Sequence, residues 1–164
     1  MKKTTLCLLI KEGEVLLAMK KRGFGVGKWN GVGGKVQDGE DIKTATIREV
    51  KEEIGVDIDI NNLKRVATIQ FSFTDNPTWN NECHIFTAAT WQGDPLETEE
   101  MRPQWYSIAK LPFESMWVDD PQWLPRVLAG ERVEGKFLFA NGGSAILESS
   151  ILPFNEKEAP LVFP

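Results

Sequence analysis

The chain has 164 residues, 41% of them hydrophobic and 26% charged, and carries a net charge of -5 from 19 basic and 24 acidic side chains. That length suits one domain with a sizeable core, and the composition is that of an ordinary globular protein. The acidic balance argues against sliding on a nucleic-acid polymer, which demands a basic surface, and no apolar run approaches the ~18 residues that would mark a membrane span.

The opening "MKKTTLCLLIKEGE" pairs two lysines with a short apolar run, faintly like a secretory signal, but no small-residue cleavage site follows it. A first strand over 4–10 is the expectation, with a second over 15–20 after the turn "KEGE". From Gly23 to Lys35, six of thirteen residues are glycine, so this segment is a loop that bends tightly or approaches something closely. A helix is predicted over 41–54. Ile47, Val50 and Ile54 form its apolar side, Glu40 and Asp41 suit its positive end, and Gly55 supplies a stop. Strands over 64–73 and 82–91 flank the polar loop "TDNPTWNN". A second helix over 121–130 begins at Pro121, with Asp120 a good N-cap, and 133–140 with 144–150 reads as a hairpin through "ANGG".

The domain therefore covers 1–152, and the proline-rich tail 153–164 reads as extended or partly disordered. Strands outnumber helices without regular alternation, which predicts an α+β fold, a mixed sheet flanked by helices. Cys7 and Cys83 lack metal-type spacing; a disulfide is open to them but unneeded, and buried thiols in a reducing cytoplasm are the expectation.

Within the first helix, "REVKEEIG" places Glu49, Glu52 and Glu53 in an arc of about 100°. Like charges three or four residues apart repel by a few tenths of a kcal/mol. Divalent cations would remove that repulsion, since Mg²⁺ commonly takes one or two carboxylates together with substrate phosphates. The competing reading is a solvated acidic face with Lys43, Arg48 and Lys51 nearby.

The flanks extend the pattern. From Gly34 to Val56 the chain reads "GKVQDGEDIKTATIREVKEEIGV", which resembles the Nudix box at every fixed position. The resemblance implies an α/β/α sandwich around a mixed sheet, and Mg²⁺-dependent cleavage of nucleoside diphosphates linked to another moiety, with Mn²⁺ a conceivable substitute. It implies Glu49, Glu52 and Glu53 as metal ligands, a backbone carbonyl from Gly33, and Arg48 paired with Glu40 to orient the glutamates. For Glu40 a surface salt bridge is the alternative. Such enzymes often add a distant glutamate as ligand or base, and "ETEEM" offers Glu100.

A longer resemblance covers about 4–150 through "MKKRGFGVGKWNGVGGKVQDGE", "EMRPQWY", "MWVDDPQWLP" and "EGKFLF". These are similar to the MutT-like Nudix hydrolases of oxidised purine nucleoside triphosphates. The similarity implies a base pocket of Thr5, Asn30, Phe71, Trp117, Asp119 and Asp120, with Lys20 and Phe24 on the loop side, Val32, Gly34 and Lys35 along the glycine segment, and Val118 beside the acids. Asn30 can donate and accept at a purine edge, Trp117 and Phe71 offer flat faces, and two adjacent buried acids should keep one proton between them. Without the resemblance, Trp117 and Phe71 read as core aromatics, Lys20 as a solvated strand end and His84 as a packed strand residue. Val118 stands where the family has proline, and 74–82 departs from the family pattern. The expectation is a cytoplasmic, monomeric diphosphatase with no membrane or polymer partner. A Nudix hydrolase for another nucleotide (a dinucleoside polyphosphate, ADP-ribose or a methylated purine triphosphate) and a Nudix-fold binding module without turnover are the alternatives.

Overall fold

Lys2–Lys11 (β1) and Glu14–Lys20 (β2) form an antiparallel hairpin joined in register only at Ile10 with Val15 and Lys11 with Glu14. Beyond those pairs the two strands splay. The gap admits the glycine-rich segment: Trp29–Asn30 (β3) pairs with Met19 and Ala18 of β2, while Val32 and Lys35 bridge β1 at Cys7 and Thr4. This computed structural model describes residues 1–154.

The remaining elements are Ile42–Ile54 (α1), Lys64–Phe73 (β4), Asn81–Ala88 (β5), Met101–Ser107 (β6), Asp120–Leu128 (α2), Val133–Ala140 (β7) and Ala145–Pro153 (β8). They build one mixed sheet in the order β3-β2-β1-β5-β4-β7-β8, with β6 on the other edge of β2. β1 runs parallel to β5 and β4 to β7; the other long pairings are antiparallel. Successive strand residues point to opposite faces. Cys7 and Leu9 therefore pack with Val50 and Ile54 of α1, while Leu8 packs with Trp123, Leu124 and Val127 of α2. Two apolar layers, one per helix, give the expected α+β sandwich.

Local chemistry sets the helix ends. Asp41 caps α1 by accepting from the Thr44 amide at 3.3 Å, and Gly55 closes it in a left-handed conformation, φ 74°. Among the described residues no helix is long and apolar enough to cross a membrane.

Five points of the sequence reading need correction. β6, Met101–Ser107, is a strand that the sequence reading does not include; its Pro103 sits on an edge strand paired only with β2, where proline is tolerated. β5 stops at Ala88 rather than 91, and α2 at Leu128 rather than 130. Asp120 is the first helical residue, not the N-cap; Asp119 holds that position and its side chain makes no capping bond. Finally, Pro153 still belongs to β8 and Phe154 is buried, its amide donating to the Arg132 carbonyl at 2.8 Å. From 155 onward the expected tail lies outside the described residues. Both cysteines are buried free thiols, pushed up to about 12 by burial.

Candidate active site

The acidic side of α1 is organised by one guanidinium. Arg48 Nε and Nη2 donate to the two Glu40 oxygens at 2.7 and 2.9 Å, and Nη2 also donates to the Lys35 carbonyl at 3.0 Å. Its Nη1 donates to Glu49 at 3.0 Å and Glu52 at 3.1 Å. Glu40 in turn accepts from the Gln37 amide at 3.0 Å, which ties the chain entering the helix to the same group. Arg48 and Glu40 are thus more than an isolated surface pair: they fix two of the three crowded carboxylates and the loop that faces them. The hydrogen bonds from Arg48 hold Glu40 below the ordinary carboxylate range.

The segment wedged beside β1 completes the contact. A Cβ on Gly33 would lie 1.8 Å from the Thr5 carbonyl oxygen, and one on Gly34 would lie 2.5 Å from the Glu49 carboxyl carbon. Only glycine lets the backbone approach that closely. Glu53 is half-buried, and its Oε2 is sequestered without a hydrogen-bond partner. Burial, then the Glu49 and Glu100 carboxylates, push its pKa up to about 7, with Lys20 pulling the other way. Glu49 is also raised, by burial, against the opposing hydrogen bond from Arg48. Glu100 pairs with Arg22 at 2.9 Å and lines, with Arg22, Glu52, Glu53, Thr98 and Glu99, a cavity of about 320 Å³.

These donors are the hard oxygens that a small divalent cation takes, and an orphaned carboxylate oxygen flanked by like charges is the group such an ion would satisfy. Among the described residues, no three acidic, histidine or cysteine side chains converge closely enough to hold an ion as they stand. The fit is one of donor chemistry, with Arg48 engaging the Glu49 and Glu52 oxygens.

A second cavity, of about 500 Å³, opens between the splayed hairpin, β4 and the start of α2. Thr5, Lys20, Phe24, Asn30, Gly33, Gly34, Lys35, Phe71, Trp117, Asp119 and Asp120 all line it. Val32 and Val118 do not: Val32 is buried under α1, and Val118 is exposed. Phe71 also stacks on Phe137 and Phe139 at 5.9 and 5.7 Å, so its pocket and core roles coexist.

At the floor sit two almost fully buried acids. Asp119 Oδ2 accepts from the Trp123 indole at 2.7 Å, and burial pushes its carboxyl up to about 6. Asp120 Oδ2 has no partner; burial and the adjacent Asp119 charge raise it well above the carboxylate range. The Lys28 ammonium stands 5.4 Å from the Trp117 ring centre.

The sequence reading missed Lys28, Phe73, Trp79, Met101, Trp123 and Phe139, all of which line this cavity. Two-residue strand periodicity from Phe71 would have found Phe73, and the four-residue helix step from Asp119 would have found Trp123. Nothing local signals Trp79, which reaches the cavity from a short turn, Pro77–Trp79. His84, left aside, is a packed residue as expected: its Nε2 lies 2.7 Å from Glu82 and its Nδ1 2.9 Å from Arg65, away from both cavities.

The family model described as NUDIX domain matches residues 2–127. The oxidized purine nucleoside triphosphate hydrolase of Danio rerio is 48% identical over 147 residues, covering 90% of this chain and 92% of that protein. The Mus musculus protein of the same name is 42% identical over 154 residues, covering 94% and 93%. Among solved structures, a MutT protein from Bacillus halodurans superposes with a TM-score of 0.81 at 23% identity, over 94% of this chain and all of that one, a likeness of fold alone.

Proposed function

The chain belongs to the Nudix family, and on that premise we propose that it hydrolyses oxidised purine nucleoside triphosphates, of the 8-oxo-dGTP and 2-hydroxy-dATP type, to the monophosphate and pyrophosphate. The observation that carries the reading is the pairing of an aromatic cavity floored by two protonatable acids with the carboxylate side of α1 across the Gly33–Gly34 segment. Two free buried thiols suit a reducing compartment such as the cytoplasm.

In this reading the base stacks on Trp117 and Phe71, and Asn30, Asp119 and Asp120 meet its polar edges. Asp120, raised well above the ordinary carboxyl value, keeps its proton and donates, while Asp119, at about 6, ionises at neutral pH and accepts. Lys20 lines the larger cavity and Arg22 the smaller, and in this reading both meet the polyphosphate. Glu49, Glu52, Glu53 and Glu100, with the Gly33 carbonyl, would hold Mg²⁺, or Mn²⁺ in its place; a bound ion supplies positive charge at the phosphoryl oxygens. Glu53, held deprotonated by such an ion, would also be the carboxylate that takes a proton from an attacking water, with Arg48 and Glu40 as positioning residues. Pyrophosphate release from a panel of oxidised, methylated and unmodified purine triphosphates, ADP-ribose and dinucleoside polyphosphates tests the reading. Preference for the oxidised purines, abolished by chelator, is expected; preference for any other member of the panel overturns the substrate, and turnover indifferent to chelator overturns the ion.

A further inference from the structure

Trp79 lies in the stretch 74–82, where the sequence departs from the family pattern, yet its ring lines the larger cavity. Its turn is firmly held. The Asn76 side chain accepts from the Thr78 amide at 3.2 Å, Asn81 donates to the Trp79 carbonyl at 3.0 Å, and the Asn80 side chain accepts from the Phe73 amide at 2.8 Å. Phe73 backs the indole edge-on, at 5.6 Å and 87°.

The Phe24 ring sits between two indoles, 4.5 Å from Trp79 and 5.1 Å from Trp117, tilted by 45° and 41°. Its loop is turned tightly: Gly23 and Gly25 on either side hold left-handed φ values of 82° and 83°, and the Val26, Gly27 and Lys28 amides donate to the Gly23, Lys20 and Gly25 carbonyls at 3.2, 2.8 and 3.1 Å. Phe24 is 43% exposed, and the two indoles are its aromatic neighbours on either side.

We propose that Trp79 is a specificity-determining residue: the fixed outer wall against which Phe24 closes over a bicyclic base stacked on Trp117. A purine is wider than a pyrimidine by one ring and reaches the Phe24 ring that Trp79 backs, so the Phe24–Trp79 contact contributes to purine binding and little to pyrimidine binding. The inference rests on the substrate reading above, and the two fail differently. Wild-type protein inert toward every oxidised purine triphosphate sinks that reading; active wild-type protein with an indifferent Trp79 sinks this one.

The test combines steady-state kinetics with calorimetric binding of 8-oxo-dGMP and dCMP in chelator, where ion chemistry plays no part. Trp79→Ala is expected to raise the KM for 8-oxo-dGTP and the Kd for 8-oxo-dGMP together, each about tenfold, to move kcat far less, and to leave dCMP binding in place. Trp79→Phe should recover most of the loss. Phe24→Ala combined with Trp79→Ala should lose no more than the larger single change, the mark of one shared contact. Should Trp79→Ala melt early, Trp79→Leu keeps an apolar side chain on the turn and carries the same expectations. A KM and Kd within about twofold of wild type, equal losses for purine and pyrimidine, or additive single losses overturn the proposal.

Discussion

The Glu49 carboxylate lies against Gly34 so closely that a Cβ there would stand 2.5 Å from its carboxyl carbon and 2.6 Å from either oxygen. One residue earlier the neighbour is backbone: a Cβ on Gly33 would meet the Thr5 carbonyl oxygen at 1.8 Å. Neither glycine has a left-handed φ, so the two substitutions differ only in what they strike. Gly34→Ala displaces the end of a flexible side chain. It should fold with nearly unchanged melting while losing about 10- to 100-fold in activity as a proposed ligand is pushed aside. Gly33→Ala forces β1 itself to move and should destabilise the protein by on the order of 3 kcal/mol. Thermal melts and pyrophosphate assays of the two variants, side by side, check the contrast.

Arg48 uses all three of its nitrogens, on Glu40, Glu49, Glu52 and the Lys35 carbonyl. A lysine cannot reproduce that fork. Arg48→Lys should therefore cost nearly as much activity as Arg48→Ala, about 10- to 100-fold in kcat, with little change in KM because neither glutamate nor guanidinium touches the base. Equal activity of the lysine variant and the wild type would reduce Arg48 to a surface charge.

The buried acid pair gives a pH dependence of known sign. Burial raises the folded pKa of Asp119 from 3.8 to about 6, and burial with the Asp119 charge raises that of Asp120 well above 3.8. The stability this represents is fully present below the unfolded value, about 3.9, and is lost as pH rises through the folded values. Asp120→Asn removes the penalty of ionising a partnerless carboxyl, so it should raise Tm by on the order of 5 °C at about pH 8 and do little at about pH 4. Melting curves across that range check it; a shift independent of pH would mean that the carboxyl does not titrate there.

The same pair divides labour at the base. Asp119 is committed to the Trp123 indole through one oxygen, whereas one oxygen of Asp120 is unclaimed. Asp119→Asn and Asp120→Asn should therefore change the ratio of 8-oxo-dGTP to 2-hydroxy-dATP turnover unequally, by at least about fivefold between them. Equal shifts would remove the distinction between donor and acceptor.

What the sequence made legible divides by range. Period and punctuation located β1, β2, α1, β4 and the terminal hairpin, because their signals are local. They did not locate β6, an element whose reason for being a strand lies in its partner β2. Lining residues carried over from motif positions gathered in one cavity, but Val32 and Val118 did not, since alternation and exposure turn those side chains elsewhere. Trp79 could not be read at all. Its place depends on a turn folded back against Phe24, far from it in sequence, and no spacing rule spans that distance.

Glu53 ties the acidic helix to the ion it is proposed to hold. Its folded pKa, about 7, stands above the ordinary 4.5, through burial and the neighbouring Glu49 and Glu100 carboxylates. In ion-free protein its contribution is fully present below about pH 4.5 and fades as pH rises through about 7. A divalent cation takes the deprotonated form, so protons compete with it. Added Mg²⁺ should therefore raise Tm more at about pH 8 than at about pH 5.5, by mass action on the folded state. Glu53→Gln should flatten both the ion-free pH slope and the Mg²⁺ shift. Differential scanning of wild type and variant, with and without Mg²⁺, measures both at once. A Mg²⁺ shift of equal size at the two pH values, unaltered in Glu53→Gln, would take Glu53 out of the ligand set and leave its buried oxygen without that role.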